Sequence, residues 1–256
     1  MTDFSSRVLR HERAGATLIL LIDRFGQRNS MNRQLVHEIR QALTAADRDP
    51  EIGAVVLTGD GGGFCAGSDL RFLAQLELPD VGAFEQECAD LGRLMVTSAT
   101  PIVGAVEGFA IGGGLTLAAC CDIVVAGRNS RWSMPEVPLG WLTPWGLKPL
   151  AERVGHVKAR QLCFCLEELS GEQCATIGLV DYVVDDGDVH SKALEIAQKL
   201  AALPLPAVRA TKRLFSGLMV REAETIDIEA NRLFLENCRE PAARATLEAQ
   251  RARAAA

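Results

Sequence analysis

Gly59-Asp60-Gly61-Gly62-Gly63-Phe64-Cys65-Ala66-Gly67-Ser68-Asp69-Leu70 and Gly108-Phe109-Ala110-Ile111-Gly112-Gly113-Gly114-Leu115 are the two stretches that decide how this chain folds. The first follows Ala54-Val55-Val56-Leu57, and the second follows Pro101-Ile102-Val103-Gly104-Ala105-Val106. Each therefore runs from an apolar strand toward a helix start. Glycine lets backbone approach a ligand closely, and the free N–H groups of a helix start favour negative charge. Two such turns facing one another can clamp a single oxygen as it becomes anionic.

Working outward, Thr17-Leu18-Ile19-Leu20-Leu21-Ile22 reads as a strand, and Asn29-Ser30-Met31-Asn32 as the cap of a helix with Leu35, Ile39, Ala42 and Leu43 on one face. Strands are expected at 54–58, 101–106 and 122–126, with a helix over about 113–120. The alternation argues for an α/β layout. Residues 132–150 read as irregular, and a single helix is expected over 150–165. Ser170-Gly171-Glu172-Gln173 opens a short helix before a strand at Tyr182-Val183-Val184. Helices then follow over 189–202, 206–217 and 219–238, with a helical tail to Ala256 that frays at its tip. Residues 1–190 form the site-bearing core on this reading, and 191–256 a helical region of the kind that packs on a neighbouring subunit.

The chain has 256 residues, 48% of them hydrophobic, enough for one packed domain with an appendage. Its formal charge of −6 and lack of a basic block argue against a nucleic-acid partner. No apolar run reaches membrane-span length, and the start MTDFSSRVLRHERAG has no signal core, so a cytoplasmic protein without a membrane partner is expected. The eight cysteines form no CxxC pair and read as reduced thiols, and no metal site is expected. The four histidines are scattered, and Ser68 has no histidine beside it in sequence, so no nucleophile stands out.

A site that holds an anion needs a base nearby. Glu136, in Met134-Pro135-Glu136-Val137-Pro138-Leu139-Gly140, stands in an apolar stretch. Desolvation there raises a carboxylate's pKa toward neutrality, which suits a general base.

FCAGSDL (64–70), GFAIGGGLTLAACCDIVVA (108–126) and MPEVPLG (134–140), with the weaker RNSMN (28–32) and LSGEQCATIGLVDYVV (169–184), together resemble the crotonase superfamily, the enoyl-CoA hydratase/isomerase family. The resemblance implies a ClpP/crotonase-like spiral of repeated ββα units with a C-terminal helical trimerisation region. It implies a homotrimer or a dimer of trimers acting on an acyl-CoA thioester. No separate cofactor is implied, because coenzyme A is part of the substrate. By the same resemblance the backbone N–H groups of Ala66 and Gly113 form an oxyanion hole and Glu136 is the acid/base. Gly67, Ser68, Asp69 and Leu70 line the acyl-CoA channel, and Arg24 and Arg28 meet the CoA phosphates. Trp132 borders the acyl pocket. The C-terminal tail departs from the family's aromatic-plus-lysine ending, which leaves the CoA contact from a neighbouring subunit open.

Two departures bear on the reaction. Family hydratases carry a second glutamate two residues after the glycine triplet, and this chain has Thr116 there. Threonine cannot serve as a carboxylate base, although it can hydrogen-bond near the acyl chain. The segment after Glu136, Leu139-Gly140-Trp141-Leu142-Thr143-Pro144-Trp145-Gly146-Leu147-Lys148, is similar to that of mitochondrial-type Δ3,Δ2-enoyl-CoA isomerases. Trp145 there dries the region that water would occupy. Both departures favour moving a Δ3 double bond to Δ2, with Glu136 as single acid/base. The alternatives are a hydratase working with Glu136 alone, another reaction of the superfamily such as decarboxylation or thioester hydrolysis, and a non-catalytic acyl-CoA binder. A dinucleotide-binding reading rests on the GxGxxA match at Gly61–Ala66 with Asp80 beyond it. It is weakened because Asp80 follows Pro79 in what reads as an irregular stretch.

Overall fold

The computed structural model describes residues 8–255. The frayed tip expected at Ala256 lies outside them. Strands β1 (Leu9–Ala14) and β2 (Thr17–Ile22) form an antiparallel hairpin turned through Gly15, at φ +62°. The sequence reading missed β1 because four of its six residues, Arg10 to Arg13, are exposed and polar, as an edge strand allows. Helix α1 (Arg33–Arg48) starts where expected: the Asn32 side chain accepts the Leu35 N–H at 3.0 Å.

Strand β3 (Ala54–Gly59) leads through the first glycine turn to α2 (Leu70–Leu73) and α3 (Leu78–Thr97). Pro79 and Asp80 lie in the first turn of α3. That corrects the irregular reading, since proline suits the first turn of a helix, where its missing N–H is not needed. Val81, Phe84, Cys88, Leu91 and Met95 give α3 a buried face at helical spacing.

Strands β4 (Ile102–Val106) and β5 (Phe109–Ile111) precede α4 (Gly113–Ala119), and β6 (Ile123–Gly127) and β7 (Arg131–Ser133) precede α5 (Glu136–Leu139). Instead of one helix over 150–165 there are two, α6 (Leu147–Val154) and α7 (His156–Cys163), broken at Gly155 with φ +78° and ψ 153°. Strand β8 (Leu169–Ser170), helix α8 (Gly171–Thr176) and strand β9 (Tyr182–Val184) follow. Ser170 and Gln173 cap α8 reciprocally. Four helices end the chain: α9 (Val189–Ala201), α10 (Leu205–Met219), α11 (Ala223–Asn237) and α12 (Pro241–Ala255).

The large sheet has the order β1-β2-β3-β4-β6-β9, parallel from β2 onward, and a second sheet has the order β5-β7-β8. Strand pairs β4/β5 and β6/β7 each pass from the large sheet into the small one before a helix, which is the ββα repeat expected. Both faces of the large sheet are covered, so β3 and β4 read as continuous apolar runs. Helix α9 covers one face, with Val189, Ala193, Ile196 and Ala197 against Ile19, Val56, Val103 and Val125. Helix α11 lies along α3 of its own chain, where Asn231 donates to the Gly82 carbonyl at 2.8 Å, and α12 lies over α2 and α5. All eight cysteines are free, and six are buried. Among the described residues no helix is long and apolar enough to cross a membrane.

Candidate active site

The two glycine turns are in contact. A Cβ on Gly67, whose φ is +84°, would lie 2.9 Å from the Gly113 nitrogen and 3.0 Å from the Ile111 carbonyl oxygen. A Cβ on Gly114 would lie 2.1 Å from the Cys65 carbonyl oxygen. Only glycine permits both approaches. The contact is tied by Phe64 N–H to Phe109 O at 3.0 Å and Ile111 N–H to Cys65 O at 3.0 Å. The Asn29 side chain reaches across from the RNSMN segment and donates to Gly63 O at 2.6 Å and Asp60 O at 2.8 Å. That segment therefore holds the first turn as well as starting α1.

The amides distribute differently from the sequence reading. Ala66 lines the cavity, but its N–H donates to the Arg28 carbonyl at 3.1 Å and so is already engaged. The Ser68 and Gly113 N–H groups have no hydrogen-bond acceptor among the described residues, and both residues line one cavity. Gly113 stands at the N-terminus of α4, where a backbone N–H is left without an intrahelical partner. The free amide donors among these cavity-lining residues are thus Ser68 and Gly113, the first of them two positions along from the one expected.

Glu136, at the first position of α5, lines the same cavity and is buried. Its Oε1 lies 2.7 Å from where a Gly112 Cβ would be, and its Oε2 has no hydrogen-bond partner. Burial pushes its pKa up to about 7, and the nearby negative charge of Glu85 acts in the same direction. Glu85, from the middle of α3, is a second carboxylate on the cavity wall. Its Oε2 accepts the Trp145 indole N–H at 3.0 Å. Burial pushes its pKa up to about 7 too, against the lowering effect of the Trp145 hydrogen bond. The sequence reading assigned no helix to 78–97 and so missed it. The available signal was a glutamate directly after Phe84 on the apolar α3 face.

These shifts have a sign that can be checked. A base must be ionised, so kcat/KM should rise with pH through about 7, with the acid limb falling about tenfold per unit below it. The unfolded chain ionises both carboxylates near their ordinary value of 4.5, before the folded protein does. The native state then holds more protons between about 4.5 and about 7, and stability should fall as pH rises through that window. An acid limb near 4.5 would mean that the base is a solvated group.

Of the other expected site residues, Gly67, Leu70 and Trp145 line the cavity. Asp69 does not. It caps α2, accepting the Arg71 and Phe72 N–H groups at 3.1 and 3.2 Å, and pairs with Arg24 at 3.0 Å. Arg24 is thereby turned inward, its side chain 9% exposed, and is unavailable to a phosphate at the surface. Arg28 is exposed, with its guanidinium 4.8 Å from the Phe109 ring centroid. Thr116 is fully buried, with its hydroxyl donating to Gly113 O at 3.0 Å, and stands behind the cavity wall. Trp132 is also fully buried away from the cavity, its indole N–H bound to Ser130 Oγ at 2.9 Å. Trp141 and Phe234 complete the wall instead, packed edge to face at 5.9 Å. Phe234 comes from α11, so the tail closes the pocket of its own chain.

Residues 12–246 match the family model described as Enoyl-CoA hydratase/isomerase. Crotonyl-CoA hydratase of Syntrophomonas wolfei is 32% identical over 217 residues, 83% of each chain. Short-chain-enoyl-CoA hydratase of Clostridium acetobutylicum is 31% identical, with 84% of this chain and 83% of that one covered. Among solved structures, an enoyl-CoA hydratase/isomerase from Mycobacterium paratuberculosis superposes with a TM-score of 0.86 at 25% identity, over 94% of this chain and 98% of that one. Pseudomonas aeruginosa OdaA superposes with a TM-score of 0.82 at 31% identity, over 95% and 98%.

Proposed function

The chain belongs to the enoyl-CoA hydratase/isomerase family, and we propose that within it the protein moves a Δ3 double bond of an enoyl-CoA to Δ2 through a dienolate. The observation that carries this reading is the unpartnered Oε2 of Glu136, in the same cavity as the unpartnered Ser68 and Gly113 amides. The two N–H groups hold the thioester oxygen, Glu136 takes a proton from C2, and negative charge passes onto the held oxygen. A carboxylate with a pKa raised to about 7 is a stronger base than an ordinary carboxylate, and a substantial fraction of it is still ionised at neutral pH. Thr116 gives no carboxylate to activate water, and the indole of Trp145 fills wall space beside Gly113. Both support isomerisation.

Hydration of a 2-enoyl-CoA is the second reading. It is favoured by the names of the relatives, crotonyl-CoA hydratase and short-chain-enoyl-CoA hydratase, and by the second carboxylate in the cavity, Glu85. The substrate brings its own coenzyme A, and the proposed chemistry uses no further cofactor. Exposed Arg28 is proposed to meet a CoA phosphate. A homotrimer or dimer of trimers in the cytoplasm is proposed as the working form, and the exposed Leu214, Phe215 and Leu218 on α10 supply apolar surface for such an assembly.

The test is incubation with trans-3-hexenoyl-CoA and, separately, trans-2-hexenoyl-CoA in heavy-oxygen water, with products followed by mass spectrometry. Conversion of the 3-enoyl to the 2-enoyl thioester without label supports isomerisation. Heavy oxygen in the product of the 2-enoyl substrate establishes hydration in its place. No change in either substrate would sink both readings.

A further inference from the structure

The described part of this chain buries four carboxylates, Asp69, Glu85, Glu136 and Asp227. Two have a cation beside them: Asp69 pairs with Arg24, and Asp227 with Arg93. The other two, Glu85 and Glu136, have no salt bridge, and they line the same cavity. A buried carboxylate without a cation is unfavourable for folding, and an apolar residue on the packed face of α3 would avoid that cost. Glu85 is also held in place. The Trp145 indole N–H donates to its Oε2 at 3.0 Å, which fixes the carboxyl group on the wall that Ser68, Gly113 and Glu136 also line.

We propose that Glu85 is the second proton-transfer group of this cavity, acting at the far end of the double bond while Glu136 acts at C2. This rests on the enolate reading above and deepens it, because the sequence reading assigns both transfers to Glu136. Two carboxylates sharing a buried cavity do not both ionise readily, so the resting site holds one as base and the other as acid. In isomerisation, Glu136 removes the C2 proton and the C–H electron pair enters the dienolate. The dienolate then takes a proton at C4 from the Glu85 carboxyl group as the double bond settles between C2 and C3. Glu136 is left protonated and Glu85 ionised. Exchange with solvent between turnovers returns a proton to Glu85 and removes one from Glu136.

Glu85→Gln tests this, since an amide of the same shape can still accept the Trp145 N–H. Three measurements are compared with the unsubstituted protein. The first is exchange of the C2 protons of hexanoyl-CoA with deuterated water, followed by NMR, which requires only Glu136 and the anion clamp. The second is the rate of trans-3-hexenoyl-CoA isomerisation, or of trans-2-hexenoyl-CoA hydration if that is the reaction found. The third is the fate of deuterium placed at C2 of the 3-enoyl substrate.

The expected result is C2 exchange close to that of the unsubstituted protein, with turnover reduced roughly 10²–10⁴-fold. The unsubstituted protein should place solvent hydrogen at C4, while the residual product of the variant carries deuterium there, returned by Glu136. Parallel loss of exchange and turnover would make Glu85 a structural support and overturn the proposal. So would unchanged turnover, or intramolecular transfer of deuterium from C2 to C4 by the unsubstituted protein. Absence of C2 exchange in the unsubstituted protein would instead remove the enolate reading itself, and this proposal with it.

Discussion

Glu136→Gln is expected to lower turnover by roughly 10²–10⁴-fold while leaving acyl-CoA binding nearly intact. The cavity wall and the two amide donors are untouched by the change, so the thioester should still bind. What disappears is a carboxylate whose Oε2 has no hydrogen-bond partner, in the cavity that the two amides also line. A loss confined to kcat, with KM little changed, is the signature of an interaction made only in the transition state. Exchange of C2 protons with solvent should be lost in the same variant. Steady-state kinetics and calorimetric titration with a saturated acyl-CoA check the two halves. A variant that turns over at near-normal rate would remove Glu136 from the mechanism.

Gly114→Ala is expected to damage stability and activity together. The added methyl would sit 2.1 Å from the Cys65 carbonyl oxygen and 2.7 Å from its carbon. That carbonyl cannot swing aside, because it accepts the Ile111 N–H at 3.0 Å and belongs to the bridge between Cys65 and Ala110. The start of α4 must therefore move away from the 65–68 turn, separating the Ser68 and Gly113 donors. Overpacking of this kind costs about 1–3 kcal/mol, or several degrees of Tm in a chain of this size. A displacement near 1 Å in the clamp should cost about 10²-fold in kcat/KM. Thermal unfolding together with kinetics decides it: a Tm within a degree of the parent and full activity would show that the turns are not in close contact.

Much of the architecture was legible because its causes are local. Asn32 caps α1 through a contact three residues away, and Ser170 and Gln173 cap α8 at the same spacing. The apolar runs at 17–22, 54–58 and 101–106 are strands of a sheet covered on both faces, which is what unbroken hydrophobicity implies. Glu136 stood out because its immediate neighbours are apolar. The misread elements had equally local reasons of the opposite sign. Strand β1 carries edge-strand polarity, the start of α3 contains a proline, and Gly155 breaks a helical pattern that otherwise continues.

The site was less legible because its assignments depend on partners distant in sequence. Ala66 and Ser68 are equivalent candidates by sequence. They differ because the Arg28 carbonyl, 38 residues earlier, takes one amide and leaves the other free. Asp69 lies inside the channel motif yet turns to Arg24, 45 residues earlier. Trp132 precedes the Glu136 segment but is buried away from the cavity, while Trp145 reaches Glu85, 60 residues earlier.

By itself, the sequence determined that two glycine turns follow two apolar strands and that one carboxylate stands in an apolar stretch beyond them. Backbone freedom and hydrophobic periodicity are properties of neighbouring residues. Only the tertiary structure decided which amides remain free, and that a second carboxylate from α3 shares the cavity. Hydrogen-bond saturation and desolvation are set by whatever the fold brings within a few ångströms, and in this chain those groups lie tens of residues apart.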